Sequence, residues 1–250
     1  MQTAIINQSP NYITFDIVKA FEQKGFTAEL WGCFDANVVN RGNWKPLKKY
    51  NRSSNYTKIR SWFWSFIQII ILISKSPREQ KLVAFSNPPF NLLLGLIFPN
   101  RIHLVVYDVY PEVLYALKIL RRESLVYKVF ELLTRRSYSR FKSVSSISEI
   151  LSNSVQKNCG KVVQNFELWG NTNEMFKEQI ELPAPNGKSI NVLIAGNIGA
   201  SHDTHIFRKF IEWAVQQEQI ELYLSTAQLG YQSHPKIHQL GFIPESQYGS

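Results

Sequence analysis

The chain has 250 residues, 44% hydrophobic and 13% aromatic, which supplies a full core and excludes a disordered chain. Its formal charge of +9 is uneven: residues 1–150 carry 21 Lys and Arg against 10 Asp and Glu, whereas residues 151–250 carry 7 against 9. Cys33 and Cys159 lack CxxC spacing, which excludes a disulfide framework or zinc knuckle and fits a reducing compartment.

The opening MQTAIINQSP has neither the basic start nor the long apolar run of a cleavable signal, so export is not expected. Thr3–Asn7 reads as a strand. Thr14–Lys24 carries Phe15, Val18 and Phe21 at helical spacing and stops at Gly25, and Thr27–Gly32 reads as the next strand. A polar loop follows from Asp35 to Asn55. The most apolar stretch lies between Arg60 and Lys75; it is interrupted by Ser65, Gln68 and Ser74 and is shorter than the roughly 20 residues of a spanning helix. We read it as a buried core helix, the alternative being a helix in the interfacial plane, with Trp62, Trp64 and Phe66 beside flanking cations.

Strands are expected at Leu82–Phe85 and His103–Tyr107, with a short helix after the double proline between them. Glu123–Ser139 places Leu125, Val129, Leu132 and Leu133 on one helical face, and Lys142–Ser145 leads to SISE, where Ser146 and Glu149 fit a capping box. That helix ends near Gly160, and Lys161–Gln164 reads as a strand. Residues 165–188 have a linker's polar, Pro- and Gly-bearing composition. The pattern then restarts: INVLIAGNIG is a strand breaking into a glycine turn, Thr204–Gln216 is amphipathic, and IELYLS and IHQLGFIP supply two more strands.

Unbroken apolar strands separated by helices mark parallel sheets covered on both faces. The predicted fold is α/β, with two Rossmann-like, doubly wound parallel-sheet domains: residues 1–164, then the linker 165–188, then a partial domain over 189–250. Such sheets bind ligands outside the carboxyl ends of their strands, so a crevice between the domains is expected. Two strands end in a polar residue closely followed by proline, at Asn87-Pro88-Pro89 and at Asp108-Val109-Tyr110-Pro111-Glu112. Asp108 is placed to orient or deprotonate a hydroxyl. The plainer reading is that Asn87 and Asp108 cap the next helices. Gly196 and Gly199 remove side chains where a strand turns toward a helix, letting backbone N–H groups approach a diphosphate; a simple tight turn explains them too.

SNPPF, VVYDVYPE, SSISEIL, VVQNF with the later Phe176, and INVLIAGNIGASHD stand in the order found in GT-B-fold glycosyltransferases of family 4, and most resemble the bacterial polysaccharide branch. The resemblance touches most of the chain. It implies retaining transfer of a hexosyl or N-acetylhexosaminyl group from a nucleotide-sugar donor, held by the second domain, to a glycan acceptor, commonly lipid-linked, held by the first. It places Asn87, Pro88, Tyr110 and Glu112 on the acceptor side with Asp108 as the catalytic group. Gly196, Asn197, Ile198, Gly199 and Asn165 fall on the donor side. It implies no cofactor and no metal, and a cytoplasmic protein peripheral to an anionic membrane surface.

The chain departs from this pattern in places. NQSPNYIT replaces a glycine-rich first loop, so the resemblance assigns no acceptor contact to Asn7–Tyr12. The family's downstream acidic pair has no counterpart before the sequence stops at GFIPESQYGS, and three explanations stand side by side: a fragment of a longer enzyme, a natural truncation inactive alone, or one half of a split transferase whose partner chain completes the donor domain. The alternatives are a non-catalytic or split-enzyme subunit and a GT-B-fold nucleotide-sugar epimerase.

Other chemistry is thinner. HDTH and HPKIH have ligand-like spacing, but no carboxylate or cysteine cluster joins them. The basic clusters at Lys45–Lys49, Lys118–Arg122 and Arg135–Lys142 follow no nucleic-acid-binding pattern, so no nucleic-acid partner is expected.

Overall fold

The computed structural model describes residues 2–10, 12–33, 44–51, 53–165, 190–196, 203–226 and 234–241. The chain divides into two compact units, Met1–Asn171 and Thr172–Ser250. Residues 166–188 of the expected linker 165–188, the glycine-turn residues 197–199 and the last nine positions lie outside the described residues.

Unit 1 is built on seven parallel strands: β1 (Gln2–Ile6), β2 (Thr27–Gly32), β3 (Trp44–Pro46), β4 (Lys81–Phe85), β5 (Ile102–Val106), β6 (Ser143–Ser146) and β7 (Gln164–Asn165), in the order β3-β2-β1-β4-β5-β6-β7. The chain runs outward from β1 through β2 to β3, then returns to lay β4 on the other side of β1. This reversal is a topological switch point, where two neighbouring connections leave in opposite directions and open a cleft above the strand ends.

Period-2 alternation sends successive side chains to opposite faces. Ala4, Ile6, Leu82, Ala84, Leu104 and Val106 pack on one face with Phe66, Ile69 and Ile73 of α2 (Asn55–Lys75), Tyr138 of α5 (Leu125–Tyr138) and Val155 of α6 (Glu149–Cys159). Ile5, Leu30, Phe85 and Val105 pack on the other face with Ile17 and Val18 of α1 (Tyr12–Gln23). The sheet is therefore covered on both sides, as the unbroken apolar strands predict.

Several local expectations are corrected. β3 lies inside the stretch read as a polar loop; at three residues it is too short to show periodicity, and its pairing with β2 defines it. Ser146 is not the cap of α6. β6 runs through it, its Oγ contacts Ser148 O at 2.9 Å and Ser152 Oγ at 2.7 Å, and Ser148 caps instead, accepting from Leu151 N. The last strand of the sheet is Gln164–Asn165 and not the expected Lys161–Gln164.

The helix α2 is a core helix on one face only. Ser54 and Thr57 form its capping box, and Arg101 closes its carboxyl end, donating to Ile73 O at 3.0 Å, Ser76 O at 2.9 Å and Pro77 O at 2.8 Å, where a cation suits the helix dipole. Its opposite face exposes Tyr56, Ile59, Phe63, Trp64 and Ile71. Among the described residues no helix is long and apolar enough to cross a membrane.

Among the described residues, unit 2 contains three parallel strands, β8 (Ile190–Ala195), β9 (Ile220–Ser225) and β10 (Ile237–Gln239), in the order β10-β9-β8. The helix α7 (Thr204–Gln216), between β8 and β9, packs Ile211 and Ala214 against Ile220, Leu222 and Leu224. Its bounds are those of the predicted amphipathic segment.

Candidate functional site

The switch point of unit 1 carries a cavity of about 320 Å³. After β1, Asn7 Nδ2 donates to Thr14 Oγ1 at 2.8 Å, and the buried Gln8 donates through Nε2 to Lys48 O at 3.1 Å and Ser61 O at 3.2 Å. These bonds fix the loop that leaves the strand. Gly32, at the end of β2, is required by the close approach: a Cβ there would stand 2.6 Å from Asn7 O. After β4, the buried Ser86 accepts through Oγ from Tyr107 N at 3.0 Å and Asp108 N at 3.1 Å, tying the β4 and β5 termini together.

Asn7, Gln8, Ser9, Asn87 and Pro88 supply polar and backbone surface to the cavity. Its walls are aromatic. Phe85 and Tyr107 stack with centroids 5.3 Å apart and planes 9° from parallel, while Tyr50 and Trp62 stack at 5.8 Å and 15°. A cavity with aromatic faces and a few fixed polar groups suits a sugar ring, whose C–H faces lie on π systems and whose hydroxyls need hydrogen-bond partners.

Asp108 stands just past β5, partly buried, and burial raises its pKa above the ordinary carboxylate value. The charges of Asp108 and Tyr50 both act on the Tyr110 hydroxyl, whose pKa is raised chiefly by burial. Asp108 is not among the residues that line the cavity; its sequence neighbour Tyr107 is. Neither Asn87 nor Asp108 caps a helix: the 3₁₀ turn Pro89–Leu93 and α4 (Glu112–Ala116) start from Pro88 and Pro111, with no side-chain cap bond. The geometry thus removes the capping reading.

Of the acceptor-side residues, Asn87 and Pro88 line the cavity; Tyr110 is packed in the core. Glu112 faces inward, where its charge raises the pKa of Tyr127 and Tyr138 behind the dominant effect of burial, and its Oε2 is buried without a hydrogen-bond partner. Asn165 is exposed at the end of the edge strand β7, paired with Ser146, away from this cavity. Asn7–Ser9, Tyr50, Trp62 and Tyr107 were not singled out for this role from sequence. They come from four separate segments, and only strand order brings them together.

On the donor side, Gly196 follows β8 with φ +117°, a conformation that favours glycine, and its N–H donates to Ser225 O at 3.2 Å. Asn197, Ile198 and Gly199 lie outside the described residues. Asp203 caps α7 by accepting from His205 N at 3.0 Å and Ile206 N at 3.3 Å. Two helix N–H groups are thus already satisfied by a carboxylate.

The histidine segment 234–238 is used structurally. His238 Nε2 meets Glu221 Oε2 at 2.9 Å and its ring stacks on Tyr223.

No protein-family model matches the chain, and no curated protein matches it in sequence. Solved structures do match in fold. Sucrose-phosphate synthase from Thermosynechococcus elongatus aligns with TM-score 0.61 and 11% identity, covering 98% of this chain and 71% of that one. WaaG, a glycosyltransferase involved in lipopolysaccharide biosynthesis, aligns with TM-score 0.59 and 11% identity over 96% of this chain and 70% of that one. The glycotransferase of kitacinnamycin gives 0.58 and 7%, over 96% and 70%. At this identity the likeness is one of fold: the chain has the Rossmann-like parallel-sheet domains of GT-B glycosyltransferases and spans about 70% of the length of those three chains.

Proposed function

We infer that the protein is a glycosyltransferase of the family-4 type, acting in bacterial cell-surface polysaccharide assembly. Unit 1 takes the glycan acceptor and unit 2 the nucleotide-sugar donor, with Gly196–Gly199 as the phosphate-facing turn. The observation that carries this reading is an aromatic cavity at the switch point of a fold shared with glycosyltransferases, with the partly buried Asp108 next in sequence to its wall residue Tyr107. In the reaction, the acceptor oxygen forms the new bond to the anomeric carbon, the donor's carbon–oxygen bond breaks, and the nucleoside diphosphate leaves with the electron pair. Asp108 accepts or orients the hydroxyl proton, and the donor carbon retains its configuration.

The exposed stripe of α2, with Arg60 and Lys75 on the same helix, supports peripheral contact with an anionic membrane face and a lipid-linked acceptor. A second reading, a subunit that works with a partner chain, is favoured by the exposed Ile190, Leu193, Ile206 and Trp213 of unit 2. Co-purification of a second chain supports that reading.

The test is acceptor-dependent release of nucleoside diphosphate from a panel of nucleotide sugars with lipid extract as acceptor source. Asp108→Asn is expected to lower the rate by about 10²–10⁴-fold with the fold unchanged. A full rate in that variant removes Asp108 from the chemistry. Epimerised nucleotide sugar formed without acceptor replaces the transferase with an epimerase.

A further inference from the structure

The cavity at the switch point is lined by no charged side chain among the described residues, although it lies in the part of the chain that holds the positive excess. We propose that it selects an uncharged sugar ring, with Gln8 taking a hydrogen bond from a ring hydroxyl, so that the sugar extended in the transfer inferred above is a neutral one. The place of that ring in a transfer rests on the function proposed above; the selectivity of the cavity does not.

Gln8 is the deciding side chain. It is 1% exposed, and its Nε2 donates to two backbone carbonyls, Lys48 O at 3.1 Å and Ser61 O at 3.2 Å. Both amide protons are thereby used. The two bonds also fix which way the amide points, since turning it over would set its oxygen against two carbonyl oxygens. Gln8 lines the cavity, and the amide atom left for a ligand is Oε1, which meets no donor among the described residues. A ligand that displaces water from this oxygen must bring an O–H or N–H of its own or leave it unmatched at a cost.

The remaining polar groups agree with a neutral ligand. Asn7 is committed within the loop, donating to Thr14 Oγ1 at 2.8 Å and accepting from Ser9 N at 3.2 Å. The exposed Asn87 has its amide unpaired among the described residues, so it can donate to one hydroxyl and accept from another. A uronate or a sugar phosphate placed here gives up hydration, finds no cation, and meets at Gln8 an oxygen facing its own oxygens. An uncharged ring lays its C–H faces on the aromatic walls and gives its hydroxyls to Gln8 and Asn87.

The loop is set before a ligand arrives. Asn7 N donates to Trp31 O at 3.0 Å, Cys33 N donates to Gln8 O at 3.0 Å, and Gly32 admits the close approach of Asn7 O. Little ordering is left to be done on binding. The segment NQSPNYIT stands where a glycine-rich loop would bring no side chain to the cavity, so this recognition is particular to the present chain.

The test is saturation-transfer NMR of the full chain with the methyl glycosides of glucose, galactose, mannose and N-acetylglucosamine, beside those of glucuronic and galacturonic acid. At least one neutral glycoside is expected to bind, with at least about tenfold preference over either uronate. Trp62→Ala removes one ring of an aromatic wall and should weaken that binding by at least about tenfold, whereas Trp213→Ala in unit 2 should leave it unchanged. Fluorine accepts but does not donate, so replacing the hydroxyls of the bound glycoside one at a time by fluorine should cost at least about tenfold at the position that faces Gln8. In Gln8→Met that penalty should vanish; if this variant does not fold, the fluorine series on the wild type and Trp62→Ala still decide. Absence of neutral-glycoside binding, equal or tighter binding of a uronate, unaltered binding by Trp62→Ala, or tolerance of fluorine at every position overturns the proposal. Protein that binds neutral glycosides but transfers no sugar keeps the selectivity and removes the transferase reading, whereas protein that transfers sugar but fails these binding tests keeps that reading and removes the proposal.

Discussion

In unit 1 the first strand, β1, is paired on both sides, and its Ala4, Ile5 and Ile6 are fully buried beneath helices on both faces. In unit 2 the first strand, β8, pairs only with β9 among the described residues, and leaves Ile190 54% and Leu193 46% exposed. Both sheets follow the same parallel plan. What differs is coverage, and coverage decides where rigidity can be spent. The aromatic cavity stands on β1 and β4, so the turns that shape it start from strands hydrogen-bonded on both sides. The glycine turn of unit 2 starts from a strand with one neighbour among the described residues.

Core truncation tests that contrast most severely. Leu104 is almost completely buried in β5, and Leu104→Ala is expected to cost about 2–5 kcal/mol through lost burial and the cavity left behind. Leu193→Ala, at an exposed position of β8, should cost less than about 1 kcal/mol. Hydrogen exchange of peptides from each sheet across a denaturant series gives the two losses separately. Equal losses would mean that coverage does not set the stability difference between the units.

A smaller effect is expected at the glycine turn. Gly196→Ala meets no steric obstacle, since nothing lies within 4 Å of a Cβ built there, but the φ of +117° is strained for any L side chain. The cost should be about 1–3 kcal/mol and confined to unit 2, read as faster exchange in β8 and β9 with β1 and β4 unchanged. Acceleration in both units would show that they do not unfold independently.

How much of this was legible in the sequence follows from what each element depends on. Strands β1, β2, β4 and β5 and helix α7 were readable because their apolar pattern is local and long enough to have a period. β3 was not, because Trp44–Pro46 is a strand only by its hydrogen bonds to Leu30–Gly32. The Ser146 cap failed because two serines, 146 and 148, both precede the helix, and only the end of β6 decides between them. The candidate site divides in the same way. Asn87 and Asp108 were visible as polar stops on apolar runs. Tyr50 and Trp62 were not, because the aromatic stack that walls the cavity joins a loop to a helix, and its relation to Asn7 and Asn87 exists only after β4 has crossed to the far side of β1.

The smallest expected effect concerns the site itself and tests whether unit 1 gives up stability for function. Burial raises the Asp108 pKa in the folded chain above the ordinary carboxylate value. A raised folded pKa means that the native state binds the proton more tightly than the unfolded chain does. The stabilising contribution is then complete below the unfolded value and is lost as pH rises through the folded value, so at neutral pH the ionised carboxylate works against folding. Asparagine does not titrate there. Asp108→Asn should therefore leave stability unchanged near the ordinary carboxylate pKa and raise it at neutral pH, by less than either change above because the side chain is partly exposed and screened. Denaturation midpoints of wild type and variant across that pH interval give the sign. A gain at neutral pH that accompanies loss of transfer places Asp108 among residues kept for chemistry at a cost in stability, whereas a loss at neutral pH would make it a structural carboxylate.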